Sequence, residues 1–265
     1  LFLRLWFEVD KNNLFLNCQS HKQAQVSNAR WYPYNKGGIF RKWYGNHDFV
    51  IDWQQDGKRL KNFKGAVLRN PHYYFKECIS WSSISSHTVA FRYKPPGHLF
   101  DVAGMSCFQT SNVPLKYLLA LNNSCFIGKL MMMLAPTINY QVGNIANIPV
   151  IYDEQKAKEI IDLTNENIAL AKKDWDSFET SWDFIRNPLL KNTNQLQKNF
   201  KLYQQKVNQN YFKMLQNEIK INQLFFHIYQ IKEKIFIPPK DISHTLIYEK
   251  NTEITEEVKE NSYVI

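Results

Sequence analysis

The sequence predicts an α+β fold: a mixed or antiparallel sheet with flanking helices, followed by a helical hairpin or bundle. Up to about residue 110, short apolar runs such as Phe49–Ile51 and Thr88–Phe91 alternate with Gly, Asn, Asp and Pro, which is typical of short strands joined by turns. From residue 153 onward, apolar residues recur at helical spacing with charges between them. The chain has 265 residues, of which 44% are hydrophobic, so it can bury a sizeable core.

Glycine and proline mark the turns and helix ends. Gly37–Gly38, Asp56–Gly57 and Pro96–Gly97 are predicted turns. Pro114 is predicted to open a helix, because a missing N–H costs nothing in the first helical turn.

The apolar run Leu115–Leu134 predicts one long buried helix or a pair of helices. A break is expected at Asn122–Ser124 or at Gly128, and Pro136 ends the run. Residues 137–150 predict a loop and a short strand.

Two further helices are predicted over residues 153–178 and 191–235. Pro188 separates them, and Pro238–Pro239 ends the second. The remaining segment, 241–265, is polar, and we expect it to be partly disordered.

Charge divides the chain unevenly. Residues 1–150 hold 17 Lys and Arg against seven Asp and Glu, whereas residues 151–265 hold 16 against 17. Five of the seven tryptophans also lie in the first part. A basic, aromatic-rich domain beside a neutral one predicts a polyanion partner for the first. We therefore predict a binding domain at 1–150, a helical domain at 151–240 and a polar tail at 241–265.

The stretch WYPYNKGGIFRKWYGN, residues 31–46, interleaves cations with aromatic rings. Cations neutralise phosphates and release counterions, and aromatic rings stack on bases or pack along sugars. In the alternative, the stretch is a turn between two strands, with its rings in the core and its cations in solvent. Composition alone favours that alternative. The candidate nucleic-acid contacts here are Arg30, Trp31, Tyr32, Tyr34, Lys36, Arg41, Lys42, Trp43 and Tyr44.

A hydroxyl-rich segment, SWSSISS at 80–86, precedes Arg92 and Tyr93. Hydroxyl and guanidinium groups contact phosphates and base edges, although a polar loop leading into a strand explains the pattern equally well. The candidate contacts from this part of the chain are Ser82, Ser83 and Arg92, together with Arg69 further upstream.

Asn70–Tyr73 differs by one residue from the Asn/Asp-Pro-Pro-Tyr/Phe loop with which amino-methyltransferases hold a flipped adenine. The second proline is missing, and no Gly-rich cofactor loop precedes the motif. The 69 residues upstream are too few for a doubly wound sheet. We therefore predict no catalytic residue in this chain.

Other site classes have no pattern to support them. The four cysteines form no CxxC pair, the seven histidines have no metal-ligand spacing, and the acids of the first part are scattered. No P-loop or GxSxG motif is present. No signal peptide and no run of about 18 apolar residues occurs. We expect reduced cysteines, no metal, no membrane contact and a cytoplasmic location. The chain lacks an initiating Met, so we expect a piece of something longer.

Six segments together resemble a known family. WYPYNKGGIFRKWYGN, SWSSISS, FRYKPPGHLFDVAGMS and LLALNNSCFIGKLMMMLAPTINYQVGNIANIPV resemble the target-recognition region of large single-chain DNA adenine methyltransferases. These include fused restriction–modification enzymes and, closer still, the PglX-type methyltransferase of BREX phage-defence systems. DWDSFETSWDFIRNPLL and NEIKINQLFFHIYQI resemble the helical segment that follows in the PglX type. The resemblance covers about residues 25–240.

The resemblance implies that this chain reads a short sequence in double-stranded DNA. A separate N-terminal domain of the parent protein, absent from this chain, would bind S-adenosylmethionine and methylate adenine N6. We therefore expect no cofactor in this fragment. The resemblance also implies a helix break at Asn122–Ser124 and a return strand containing Gly143 and Pro149. Because of the resemblance, we favour DNA contact over a turn with buried rings for residues 31–46.

One alternative assigns the chain a different role. In it, the helices over 153–235 dock to other subunits of a defence complex or to a phage inhibitor, and the basic surplus is incidental. Amphipathic helices are more often core than interface, so this alternative ranks second. A stand-alone methyltransferase or nuclease ranks third.

Overall fold

The computed structural model describes residues 1–85, 89–135, 138–190 and 195–231. That part of the chain contains two small sheets and seven α-helices, which confirms the predicted α+β class. The strands are β1 (Leu3–Leu5), β2 (Trp31–Asn35), β3 (Phe49–Asp52), β4 (Cys78–Ser82), β5 (Phe91–Lys94), β6 (Leu99–Phe100) and β7 (Gly104–Cys107). The helices are α1 (His21–Val26), α2 (Gln54–Lys61), α3 (Leu115–Asn122), α4 (Cys125–Leu134), α5 (Val142–Ala146), α6 (Glu154–Trp175) and α7 (Leu196–Ile228).

The first sheet has four strands in the order β1-β3-β2-β6 and is mixed, because only the β2–β6 pair is parallel. Its central strand β2 is buried along its whole length. Helices α1 and α2 contribute Ala24 and Leu60 to a core that also contains Tyr32, Trp53 and Phe75. The two short helices were not predicted, because helices this short leave little periodicity to detect.

The second sheet has three antiparallel strands in the order β5-β4-β7. Trp81 and Phe91 from this sheet share the largest core with side chains from α3, α4, α6 and α7. Residues before and after position 150 therefore contribute to the same core. The predicted domain boundary at 150 would divide that core.

The apolar run after Pro114 forms two helices, as one of the two predicted arrangements has it. The break lies at Asn123–Ser124, within the predicted Asn122–Ser124, and the Ser124 hydroxyl accepts a hydrogen bond from the Ile127 N–H and caps α4. Gly128 lies inside α4 and does not interrupt it. Among the described helices, none is alone long and apolar enough to cross a membrane. The bent pair α3–α4 reaches that threshold only when its two helices are counted together.

The prediction of a loop and short strand over 137–150 was wrong in part, because α5 forms there. Gly143 lies within α5 rather than in a return strand, and Pro149 follows the helix outside any strand. The Asn144 side chain accepts a hydrogen bond from the Gln141 N–H, which closes the first turn. A helix of five residues is too short to show a hydrophobic period.

Two long helices, α6 and α7, confirm the predicted helical part and pack against each other. The Asp153 carboxylate caps α6 by accepting a hydrogen bond from the Lys156 N–H. Within their interface, the buried Asn217 side chain donates hydrogen bonds to Asn167 and Glu166. Pro238–Pro239 and the polar tail lie outside the described residues.

The buried Asn123 side chain joins the helix break to the second sheet. Its amide group donates to the Phe91 carbonyl at 2.9 Å and accepts from the Phe91 N–H at 3.0 Å. Asn123 is 5% exposed, so water cannot replace these two bonds.

We expect Asn123→Ala to lower the free energy of unfolding by about 1–3 kcal/mol per backbone group left without a partner. Urea unfolding monitored by circular dichroism measures this change. Asn112→Ala, at an exposed position, is the matched control. Equal stability of the two variants would contradict the assigned role of Asn123.

Candidate nucleic-acid interface

The aromatic residues predicted to contact nucleic acid on β2 lie inside the protein. Tyr32 is fully buried, and Trp31 and Tyr34 are each 9% exposed. Trp31 packs with Trp6 and Val50, while Tyr32 and Tyr34 belong to the core under α1 and α2. Both faces of β2 are covered, so none of these three rings is open to a base.

Arg41 agrees with neither interpretation of its sequence, as a DNA contact or as a solvent-exposed cation in a turn. Its side chain is 1% exposed, its Nη2 lies 2.9 Å from Asp174 Oδ2, and its guanidinium lies over the Trp175 ring. Burial lowers the pKa of Arg41, and the Asp174 carboxylate opposes this effect. The cation neither reaches a phosphate nor lies in solvent, because it joins the segment after β2 to the end of α6.

A second buried contact joins the same segment to α7. Glu218 accepts from Lys42 Nζ at 2.9 Å and from Trp43 Nε1 at 2.6 Å. Gly45 is required beside them: its φ is 127°, and a Cβ there would lie 2.7 Å from Arg41 Nε. Tyr44, also buried, stacks on His47 and has Lys172 over its ring.

The hydroxyl-rich segment is also used internally. The Ser82 hydroxyl donates to the Gly38 carbonyl and accepts from the Gly38 N–H, which holds the predicted turn. Arg92 donates to Ser82 Oγ and to the Arg41 carbonyl while 1% exposed. Burial, reinforced by the neighbouring Arg41 charge, lowers the pKa of Arg92 to about 10. Ser83 is half-buried, and Ser86 lies outside the described residues.

Few of the predicted contact residues are accessible. Arg30 is paired with Asp52, and Lys36 lies 4.0 Å from Asp101 at a half-exposed position. Arg69 is exposed. The predicted contacts that the structure buries, and that have no open face for a nucleic acid in it, are Trp31, Tyr32, Tyr34, Arg41, Trp43, Tyr44 and Arg92.

One group of exposed cations lies elsewhere, on α2 and the loop after it. Lys58, Lys64 and Arg69 are exposed and make no ion pair with any described residue. Lys22 on α1 is exposed as well. We call these four residues the basic face. The sequence signal was available, since four of the seven residues at 58–64 are basic. The prediction from sequence did not include these four residues at 58–64, because a single aromatic ring, Phe63, lies among them.

His21 connects the parts that carry the basic face. Its Nδ1 lies 2.7 Å from Asp56 on α2, and its Nε2 lies 2.9 Å from the Pro71 carbonyl, two residues beyond Arg69. Asp56 also accepts from Trp53 Nε1 and Lys61 Nζ. Burial acts to raise the pKa of Asp56, but the bonds from Lys61, His21 and Trp53 outweigh it and hold that pKa below its ordinary value.

Acidic groups beneath the basic face are therefore neutralised. Asp56 is paired with Lys61 and hydrogen-bonded to His21, and the fully buried Asp52 carboxylate is paired with Arg30 and Arg59. Lys58, Lys64 and Arg69 make no ion pair with any described residue, and exposed cations of this kind favour a polyanion.

The described residues contain no doubly wound sheet of the kind expected for S-adenosylmethionine, the cofactor that the resemblance implies. The doubly wound sheets that bind such cofactors have several parallel strands and a Gly-rich turn. Here the one parallel pair, β2–β6, is two residue pairs long. The near-match to a methyltransferase loop is a 3₁₀ turn over Pro71–Tyr73, in which the Tyr73 ring stacks on Phe108. Within the described ranges, no three metal-ligating side chains cluster.

A group of buried titratable side chains lies behind the segment at 41–47. Lys94 donates to the carbonyls of Gly45 and Asn46, both at 2.8 Å. Burial, reinforced by Arg92, lowers the pKa of Lys94 to about 7. His47 and His98 lie 3.2 Å apart through their ring nitrogens, and burial lowers the pKa of His98 to about 3.

Fold and surface together define a class of protein: an α+β module that presents a basic face and shares its main core with long helices. No family model matches the chain. It is 33% identical over 248 residues to the adenine-specific methyltransferase PglX of Lacticaseibacillus casei (strain Zhang), a match that covers 89% of this chain and 20% of the relative. It is 36% identical over 218 residues to the adenine-specific methyltransferase BrxX of Escherichia coli O9:H4 (strain HS), covering 78% and 17%.

The chain therefore belongs to the family of PglX- and BrxX-type adenine-specific methyltransferases, as the resemblance in sequence predicted. It spans about a fifth of the length of the curated relatives that it matches.

We expect Asp174→Ala to lower the free energy of unfolding by about 3–5 kcal/mol, because the change leaves the Arg41 charge buried without its partner. Glu159→Ala removes the acid of the exposed Lys220–Glu159 pair and should cost less than about 1 kcal/mol. Urea unfolding of both variants measures the difference. If Asp174→Ala proves as mild as Glu159→Ala, Arg41 is not held as the structure describes.

The lowered pKa of Lys94 predicts that the free energy of unfolding depends on pH. Between the folded pKa of about 7 and the ordinary value of 10.5, the unfolded chain holds a proton that the folded chain has lost. The free energy of unfolding should therefore rise with pH in this window, by up to about 1.4 kcal/mol per pH unit from this group. Below pH 7 both states are protonated, and Lys94 adds no slope.

Lys94→Met should remove that contribution, so the variant's stability should rise less from pH 7 to 9 than that of the wild type. Comparing the two slopes by urea unfolding cancels the titration of other groups. Lys201→Met, an equal change at an exposed position on α7, is the control. Identical slopes in wild type and Lys94→Met would refute the assignment.

Proposed function

We propose that this chain recognises a specific sequence in double-stranded DNA for an adenine-specific methyltransferase involved in phage defence or restriction–modification. The observation that carries the proposal is the basic face, whose unpaired Lys58, Lys64 and Arg69 lie on a module related to PglX and BrxX. Duplex DNA is a dense polyanion, and cations of this kind supply most of its non-specific binding energy.

We place catalysis and S-adenosylmethionine in other parts of the parent protein. The relatives are about five times as long as the matched segment, and the described residues contain no doubly wound sheet. A module that binds DNA while a separate domain methylates adenine accounts for both facts. Cytoplasmic DNA is the substrate that this proposal requires.

The residues predicted from sequence divide into two roles under this proposal. Arg30, Lys36, Ser82 and Ser83 are partly exposed and would add contacts to DNA. Arg69 would contact it directly. The buried residues would position the module instead, together with the part-buried Lys42 that Glu218 pairs: Trp31, Tyr32, Tyr34, Arg41, Trp43, Tyr44 and Arg92.

A second candidate function is a scaffold that binds other subunits of a defence complex. It is favoured by exposed apolar side chains before and within the start of α7, including Leu190 and Leu196, each 66% exposed, and Phe200, 44% exposed. Contiguous exposed apolar side chains are typical of protein contacts. Loss of co-purifying subunits from the parent protein on Leu196→Ser/Phe200→Ser, with DNA binding unchanged, would support this role.

The first proposal predicts that Lys58→Glu/Lys64→Glu/Arg69→Glu weakens duplex binding by about tenfold or more and lowers the salt slope by about one for each phosphate contact removed. Fluorescence anisotropy of a labelled duplex of randomised sequence, titrated between about 50 and 200 mM salt, measures both quantities.

The matched control changes charge by the same amount on α7: Lys198→Glu/Lys201→Glu/Lys206→Glu, at three exposed lysines. We expect this control to bind as the wild type does, apart from a small general charge effect. Binding that is independent of salt, or an equal loss in both triple variants, would refute DNA recognition by the basic face.

A further inference from the structure

An unusual backbone conformation lies at the start of α2, beside the basic face. Gln55, Asp56 and Gly57 follow one another with φ values of 51°, 54° and 76°. Two of these residues are not glycine, and left-handed backbone at such positions costs conformational energy unless other contacts hold it. The three side-chain partners of Asp56 provide those contacts.

The held turn places Gln55 in a groove with two other amides. Gln25 from α1 and Asn62, which follows α2, line the same groove of about 300 Å³, together with Lys58, Lys61 and the Asp56 carboxylate that Lys61 pairs. The three amide side chains are exposed, and none hydrogen-bonds to a described residue. Each therefore presents an unused carbonyl acceptor and unused N–H donors.

We propose that Gln25, Gln55 and Asn62 determine sequence specificity by hydrogen-bonding base edges in the DNA major groove, with adenine as the preferred base. An amide group pairs in bidentate fashion with adenine N6 and N7, which present one donor and one acceptor in the major groove. This inference rests on the proposed DNA recognition and assigns the residues that read the bases.

Within this surface, we assign phosphate contacts to the lysine side chains and base contacts to the amide groups. Lys58 flanks the groove as an exposed cation without an acidic partner, whereas Lys61 is held by Asp56. Lysine contacts to phosphate fix position without carrying sequence information, while contacts to base edges carry it. Asp56 is a positioning residue in this account, because its carboxylate is committed to His21, Trp53 and Lys61.

The test is selection from a randomised duplex library by the full chain, followed by sequencing. The wild type should enrich a motif that contains adenine. Gln25→Ala/Gln55→Ala/Asn62→Ala should retain salt-dependent binding to random duplex but lose preference at one or more A·T positions, by about fivefold or more for each base contact removed. A matched control, Gln197→Ala/Gln205→Ala/Gln209→Ala, removes three exposed amides from α7 and should enrich the wild-type motif.

The outcomes separate this inference from the function on which it rests. If the wild type enriches a motif and the amide variant enriches the same motif equally well, base reading by these amides is refuted and DNA recognition stands. If the amide variant loses affinity for all duplexes in proportion, the amides bind phosphate and the inference also fails. If the wild type binds no duplex, the proposed function fails first. Circular dichroism of each variant confirms that the exposed substitutions leave the fold intact.

Discussion

The buried ion pair between Arg41 and Asp174 is the contact on which the arrangement of the molecule depends. It joins the segment that follows β2 to the end of α6, and Glu218 joins the next two residues to α7. Charges this deeply buried are tolerated only when paired, because an isolated ion in the interior costs several kcal/mol. The contacts therefore fix the segment at 41–43 against both long helices.

Because several cations are buried inside the protein, the net charge of the sequence overstates the positive charge at its surface. The first 150 residues carry ten more positive than negative charges, yet Arg41, Arg92 and Lys94 are buried, and Arg30 is paired with Asp52. The charge that is accessible to a binding partner comes from the remaining exposed residues. Lys58, Lys64 and Arg69 contribute to it within a short stretch, where the acids Asp52 and Asp56 are already paired.

The fold class was accessible from sequence, because alternation of apolar runs with turns and the later helical period are local signals. The break at Asn123–Ser124 was accessible for the same reason, since polar residues interrupt an apolar run there. The short helices α1, α2 and α5 were not, because one or two turns leave no period to detect. The left-handed turn at Gln55–Gly57 was predicted only as a turn at Asp56–Gly57, because Gln55 adopts positive φ through contacts made by its neighbour.

The candidate site was less predictable, for a physical reason that Arg41 and Lys58 illustrate. Both lie in short runs of basic residues, and neither run shows whether its cations are buried or exposed. What separates them is an acid far along the chain: Asp174 lies 133 residues after Arg41, whereas Lys58 has no such partner among the described residues. Whether a cation is structural or available to a ligand thus depends on long-range pairing. An interleaved run of cations and aromatic rings is therefore as consistent with a buried interface as with a nucleic-acid contact, and accessibility decides between them.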